Sequence, residues 1–215
     1  MGKSLYLLLA VCMLVSCKKK ESDQTTEQPV IVYQDNLSAD NGEWAVDSTS
    51  VRVKKFYEGH YLIEVDSFPN IIAYSLAPYD SINYYYSVQL DETMQLNPSG
   101  TSGFVGIVFN WIDNKDYCVA EVTAKGSYRI WQKIDASVIT IQAATPHSAI
   151  QTGNSAKNTI KIIQGADAVQ LIINGTAIGS FDCEFPGVFV KVGLSTATGQ
   201  NPVKGLFNNF LLEKI

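Results

Sequence analysis

The segment Tyr128-Arg129-Ile130-Trp131-Gln132-Lys133-Ile134 places a tryptophan between two cations at every second residue. In an extended strand alternate side chains share a face, so Arg129, Trp131 and Lys133 stand together, opposite Tyr128, Ile130, Gln132 and Ile134. An aromatic ring beside hydrogen-bonding cations suits sugar recognition, because a pyranose offers apolar C–H faces and a polar rim. The competing role for such a ring is packing under the stems of its cationic neighbours. The same alternation sets Tyr85 with Ser87 and Gln89, away from Tyr84, Tyr86, Val88 and Leu90. Trp131, Arg129, Lys133 and Tyr85 are therefore the candidate ligand-binding residues. Trp111 and Tyr117 flank the loop Asp113-Asn114-Lys115-Asp116, where they either extend that surface or serve the fold.

Catalytic and metal chemistry is sparse. Glu64-Val65-Asp66 offers two carboxylates on one face, but Ser67-Phe68-Pro69 supplies no third. A retaining glycosidase needs an acid and a nucleophile about 5–5.5 Å apart. An enzyme built on this chain needs two or more carboxylates converging in one cleft, with Glu64, Asp66 and Glu121 the first candidates. The two histidines, His60 and His147, have neither a paired cysteine nor a His-x-x-x-His spacing. Asp113, Asn114 and Asp116 carry oxygens of the kind calcium takes. Asx side chains in a hairpin loop more often bond their own backbone, however. There is no Gly-x-Ser-x-Gly elbow and no glycine-rich phosphate loop. The expectation is a non-catalytic protein with no cofactor.

The elements that must position these residues read as strands. Short apolar runs broken by Gly, Asn, Asp and Pro continue from Val30 to the end with no helical period. The clearest are Tyr61–Asp66, Ile71–Leu76, Tyr84–Leu90, Phe104–Trp111, Tyr117–Thr123, Tyr128–Ile134, Thr159–Gln164, Ala168–Ile173, Val188–Ser195 and Phe207–Leu212. Asn174-Gly175 is the strongest turn, since both residues tolerate the positive φ of a type I′ hairpin. At 215 residues, 46% apolar and 17% charged, the chain has the make-up of one globular β-sandwich.

The amino terminus has a different character. Lys3 precedes an apolar run from Leu5 to Val15, and Leu14-Val15-Ser16-Cys17 closes it. This resembles a bacterial lipobox: residues 1–16 are read as a signal peptide and Cys17 as the lipidated residue. The run is too short for a membrane-spanning helix, so the expected membrane contact is the lipid anchor alone. Lys18–Gln28 contains no large apolar residue and reads, with Cys17 and Pro29, as a tether over 17–29. The net charge of −5 and the lack of a long basic run argue against nucleic acid as a partner. Lys18-Lys19-Lys20 stands where surface-exported lipoproteins of Bacteroidota carry acids, which favours an outer-membrane anchor facing the periplasm. Asp47-Ser48-Thr49 and Asp80-Ser81-Ile82 resemble O-glycosylation sites of that phylum. Cys118 and Cys183 lie in separate predicted strands, and sequence leaves open whether they are bridged or are two buried thiols.

Several stretches resemble the concanavalin A-like lectin/glucanase domains. Gly106-Ile107-Val108-Phe109-Asn110-Trp111-Ile112-Asp113, with Tyr117 after it, is similar to a hairpin of that family. Thr159–Ile163, Val169–Gly175, Val192-Gly193-Leu194 and Phe207–Phe210 follow in the family's order, with Asp35-Asn36-Leu37, Trp44 and Gly59–Val65 at its opening. The resemblance covers residues 30–215. It implies an all-β jelly-roll of two curved antiparallel sheets, a fold that hosts lectins, glycosidases and protein-binding modules. Glycan binding is the expected function. The alternatives are a glycoside hydrolase of the 3-keto-glycoside type and an envelope scaffold module.

Overall fold

The computed structural model describes residues 28–66, 71–79, 81–96, 103–183, 185–199 and 201–215. The signal segment, Cys17 and the lysines after it lie outside these residues, as does Asp80. The described residues form strands and no helix. In chain order they are β1 (Val30–Asp35), β2 (Asp47–Ser48), β3 (Arg52–Tyr57), β4 (His60–Val65) and β5 (Ile72–Leu76). Then come β6 (Tyr86–Leu96), β7 (Gly103–Trp111), β8 (Tyr117–Val122), β9 (Ser127–Ile134) and β10 (Ser137–Pro146). The last are β11 (Lys157–Gln164), β12 (Ala168–Ile173), β13 (Thr176–Asp182), β14 (Lys191–Thr198) and β15 (Val203–Lys214).

Two antiparallel sheets result. The larger runs β13-β12-β11-β6-β15-β4-β3-β2, with β1 paired to the second half of β15. The smaller runs β10-β9-β8-β7-β14-β5. Alternation dictates the packing. Val105, Ile107 and Phe109 of β7, Ile160 and Ile162 of β11, and Tyr86, Val88 and Leu90 of β6 all point into the space between the sheets and are fully buried. In β15 the alternation slips by one residue. Asn209 takes a positive φ of 52° where the register shifts, so Phe207 and Phe210 both reach the core.

Strands with a buried apolar face were legible, while β3, β10 and β13 were not. β10 and β13 form sheet edges and β3 has only the two-residue β2 beyond it. β3 mixes charged and apolar residues on both faces, and β10 and β13 are exposed along much of their length, which weakens the period-two signal. The turn at Asn174-Gly175, with φ of 50° and 77°, joins β12 to β13 as the dipeptide predicts.

The larger sheet catches a carboxylate inside. Glu92 of β6 is almost fully buried, and its Oε1 accepts a hydrogen bond from Asn158 Nδ2 at 3.0 Å. Burial pushes its pKa up to about 8, opposed in part by Asn158. The folded chain therefore holds this proton where the unfolded chain has lost it. Stability from this group is complete at low pH and falls as the pH rises from the ordinary carboxylate range toward 8. Urea unfolding at about pH 5 and about pH 8 should show wild type losing roughly a few kcal/mol relative to Glu92→Gln across that interval.

Candidate functional site

The outer face of the smaller sheet carries the residues with chemistry. β7, β8 and β9 turn Val105, Cys118, Ala120 and Ile130 inward, which leaves Gly106, Val108, Tyr117, Val119, Glu121, Arg129, Trp131 and Lys133 outward. The register sets Tyr74, Ser195, Gly106, Glu121 and Arg129 in one row across five strands. The glycine in that row is obligatory, because a Cβ on Gly106 would lie 2.0 Å from the Ala120 carbonyl oxygen. Beside it, Val108, Val119 and Trp131 form the next row.

Glu121 organises this surface. Its side chain has no solvent contact, and Oε2 accepts three hydrogen bonds: Arg129 Nε at 2.8 Å, Arg129 Nη2 at 2.7 Å and Trp131 Nε1 at 3.1 Å. Its Oε1 has no hydrogen-bond partner among the described residues. The Arg129 guanidinium lies over the Phe104 ring at 3.4 Å, and the Trp131 ring meets Tyr117 edge-on at 5.6 Å. Lys133 Nζ donates to the Asn114 carbonyl at 2.8 Å and stands 5.5 Å from the Tyr117 ring centre. Burial pushes the Tyr117 phenol up to about 12, with Tyr74 and Glu121 adding to the shift, so it stays neutral at physiological pH.

Above this floor lies an open hollow of about 600 Å³. Phe104, Tyr117, Arg129, Trp131 and Lys133 line it together with Thr140 and Gln142 of β10 and Ile72 of β5. It adjoins a second hollow that shares Ile72, Tyr117 and Lys133 and adds Arg52, Lys54, Tyr74 and Asn114. An apolar and aromatic floor with a few fixed polar groups has the make-up of a small-molecule site.

No family model matches the chain, and no curated protein does. Solved structures do. The Emp47p carbohydrate recognition domain superposes with a TM-score of 0.62 at 12% identity, over 85% of this chain and 95% of that one. The laminarinase catalytic domain of Thermotoga maritima gives 0.61 at 10% identity, over 88% and 99%. The carbohydrate-binding module CBM66 of Bacillus subtilis gives 0.55 at 14% identity, over 80% and 96%. The fold is a concanavalin A-like jelly-roll. At these identities the likeness carries the fold and leaves activity to the site itself.

On this jelly-roll Arg129, Trp131 and Lys133 converge on the hollow, and the half-buried Trp131 ring forms part of its wall. Tyr85 does not join them. It precedes β6 of the larger sheet, and its exposed ring packs edge-on against Phe185 at 5.9 Å. Alternation correctly separates Tyr85 from the core but says nothing about which sheet carries it. Glu64 and Asp66 line a different hollow with Arg52 and Lys204, and Glu64 pairs with Lys204 at 3.7 Å. Glu121 is therefore not brought together with them, and among the described residues no carboxylate lines the smaller sheet's hollow. Asp113 Oδ1 accepts from the backbone N–H of Lys115 at 2.6 Å and of Asp116 at 3.1 Å, while Asp116 Oδ1 accepts from Asp135 N. The loop's oxygens thus serve the turn, Asn114 Oδ1 taking the Tyr74 hydroxyl. Among the described residues no three His, Cys, Asp or Glu side chains form a metal-holding group.

Thr140 and Gln142 are contacts that sequence reading missed. The alternation Val138-Ile139-Thr140-Ile141-Gln142 after the Asp135-Ala136 turn was their signal. Removing the cation from the Glu121 pair leaves a buried charge without compensation, which costs far more than replacing both partners. Arg129→Met should destabilise the fold by about 3–5 kcal/mol in urea unfolding, and adding Glu121→Leu should restore most of the loss.

Proposed function

We propose that this is a lipid-anchored envelope protein that binds glycans, without hydrolysing them, in the hollow on the smaller sheet. The observation that carries the reading is the fixed pair of Arg129 and Trp131. Both are held by one sealed carboxylate beside an open aromatic hollow. A preset ring offers a sugar its stacking surface with little ordering cost on binding. Tyr117, Thr140 and Gln142 add polar groups around it. The fold's solved neighbours named as a carbohydrate recognition domain and a carbohydrate-binding module support the same reading.

Hydrolysis through a carboxylate pair has no support at this site. Glu121 lies beneath Arg129 and Trp131 with no solvent contact, so it cannot reach a glycosidic oxygen from where it stands. Charge refines the ligand class. Arg52, Lys54, Arg129 and Lys133 border the two joined hollows, against the carboxylates Asp47 and Glu121, on a chain of net charge −5. Lys133 has a neutral carbonyl as its hydrogen-bond acceptor. This local excess of cations favours glycans bearing carboxylate or sulfate groups over neutral ones.

Leu14-Val15-Ser16-Cys17 and the lysines after it support an anchor at Cys17 in the outer membrane, with the domain facing the periplasm. No helix among the described residues is long and apolar enough to cross a membrane. The test is an array of neutral, uronate-bearing and sulfated glycans probed with residues 18–215, beside a Trp131→Ala variant whose melting temperature is checked. Wild type should bind, acidic members most strongly, and the folded variant should lose at least about tenfold in affinity. A folded wild type that binds no arrayed glycan contradicts the reading.

A further inference from the structure

Cys118 and Cys183 come from opposite sheets. Cys118 is an inward residue of β8 in the smaller sheet, and Cys183 directly follows β13, the edge strand of the larger one. Their Sγ atoms lie 3.2 Å apart, both side chains are buried, and both are free thiols. That separation exceeds the covalent S–S length of about 2.05 Å by little more than an ångström, within reach of a rotation at Cβ. From this geometry we infer that Cys118 and Cys183 form a disulfide when the chain folds in an oxidising compartment.

The surroundings favour a defined pair over two incidental small side chains. Asn110 Nδ2 sits 3.9 Å from Cys183 Sγ and donates to Gln164 Oε1 at 3.0 Å. Gln164 Nε2 in turn donates to the Cys183 carbonyl at 3.0 Å, and Tyr86 Oη donates to Asn110 Oδ1 at 2.8 Å. In the folded chain a buried network thus fixes the backbone of Cys183.

The step needs a disulfide-bearing oxidant, the class of thiol oxidant that acts on exported chains. The thiolate of one of the two cysteines attacks one sulfur of the oxidant's disulfide, forming a mixed disulfide and releasing one oxidant thiol. The other cysteine, as its thiolate, then attacks the first cysteine's sulfur, closing the Cys118–Cys183 bond and releasing the second oxidant thiol. The chain loses two electrons and two protons, and the oxidant gains both. Because both sulfurs are sealed in the finished fold, the reaction belongs to folding, before the sheets close.

The consequence is a covalent loop from the second residue of β8 to the residue after β13, enclosing β9, β10, β11, β12 and β13. Arg129, Trp131, Lys133, Thr140 and Gln142, which line the hollow, lie within it. Tyr117, which forms the hollow's wall, is the residue before the bridge. The bond would also pin edge strand β13, which pairs with β12 alone, to the other sheet.

The test takes the full chain, purified in detergent and fully reduced, and exposes it during refolding to glutathione disulfide. Alkylation in denaturant followed by mass spectrometry should find Cys118 and Cys183 unreactive, joined in one cross-linked peptide and free of glutathione. The oxidised protein should melt on the order of 10 °C above the reduced one. A Cys183→Ala variant should melt like the reduced protein whether or not oxidant is present. Alkylation of both thiols after oxidant treatment, or glutathione adducts on either, overturns the inference. So does an identical melting temperature for the oxidised and reduced forms of the wild type.

Discussion

A carboxylate without solvent contact lies under the open face of the smaller sheet, and the order of that face follows from the need to satisfy it. Moving an ionised glutamate out of water costs several kcal/mol unless a cation and good hydrogen bonds compensate. At Glu121 the compensation is Arg129, one strand over and in register, with Trp131 donating to the same oxygen. Two side chains that would otherwise sample many rotamers are thereby fixed. The guanidinium is flattened over Phe104 and the indole is set edge-on to Tyr117. What the sheet offers a ligand is a surface whose ordering cost was met in folding.

That arrangement depends in turn on backbone geometry in the neighbouring strands. Gly106 lies directly across from Glu121, and Gly193 lies across from Val108 in the adjacent row. A side chain at either would collide with a carbonyl of the next strand, at 2.0 Å and 2.1 Å respectively. Farther along β7, Asn110 takes a positive φ of 48° where the register shifts. Tyr86 Oη holds its amide oxygen. This bulge keeps Phe109 and Asn110 both inward and delivers Trp111 to the outer face beside Tyr74.

Much of the sandwich was legible because its central strands bury one face. Val105-Gly106-Ile107-Val108-Phe109 and Ile160-Lys161-Ile162 announce themselves by alternation, and Asn174-Gly175 by its turn chemistry. Peripheral strands β3, β10 and β13 were missed. Arg52–Tyr57 is rich in charge, and Ser137–Pro146 is exposed along most of its length. The site shows the same division. Local alternation grouped Arg129, Trp131 and Lys133 because they share a strand. It had no access to Glu121's role, which depends on the pairing of β8 with β9, nor to Tyr85's distance from them, which depends on sheet membership. Nor could it pair Cys118 with Cys183 across 65 residues. Contacts between strands far apart in sequence are set by topology, and a local pattern does not encode them.

The central claim is that glycans meet the protein at Trp131 on the smaller sheet. The chain has three tryptophans, each in a different setting: Trp44 is buried with its Nε1 on Asp35, Trp111 is on the outer face, and Trp131 is beside the hollow. The most direct measurement is nitrogen-15 NMR of the three indole N–H groups during titration with the tightest-binding glycan of the array. The account predicts that the Trp131 resonance moves in proportion to occupancy, while that of Trp44 stays in place. Saturable binding that shifts Trp44, or that leaves Trp131 unmoved, would contradict it.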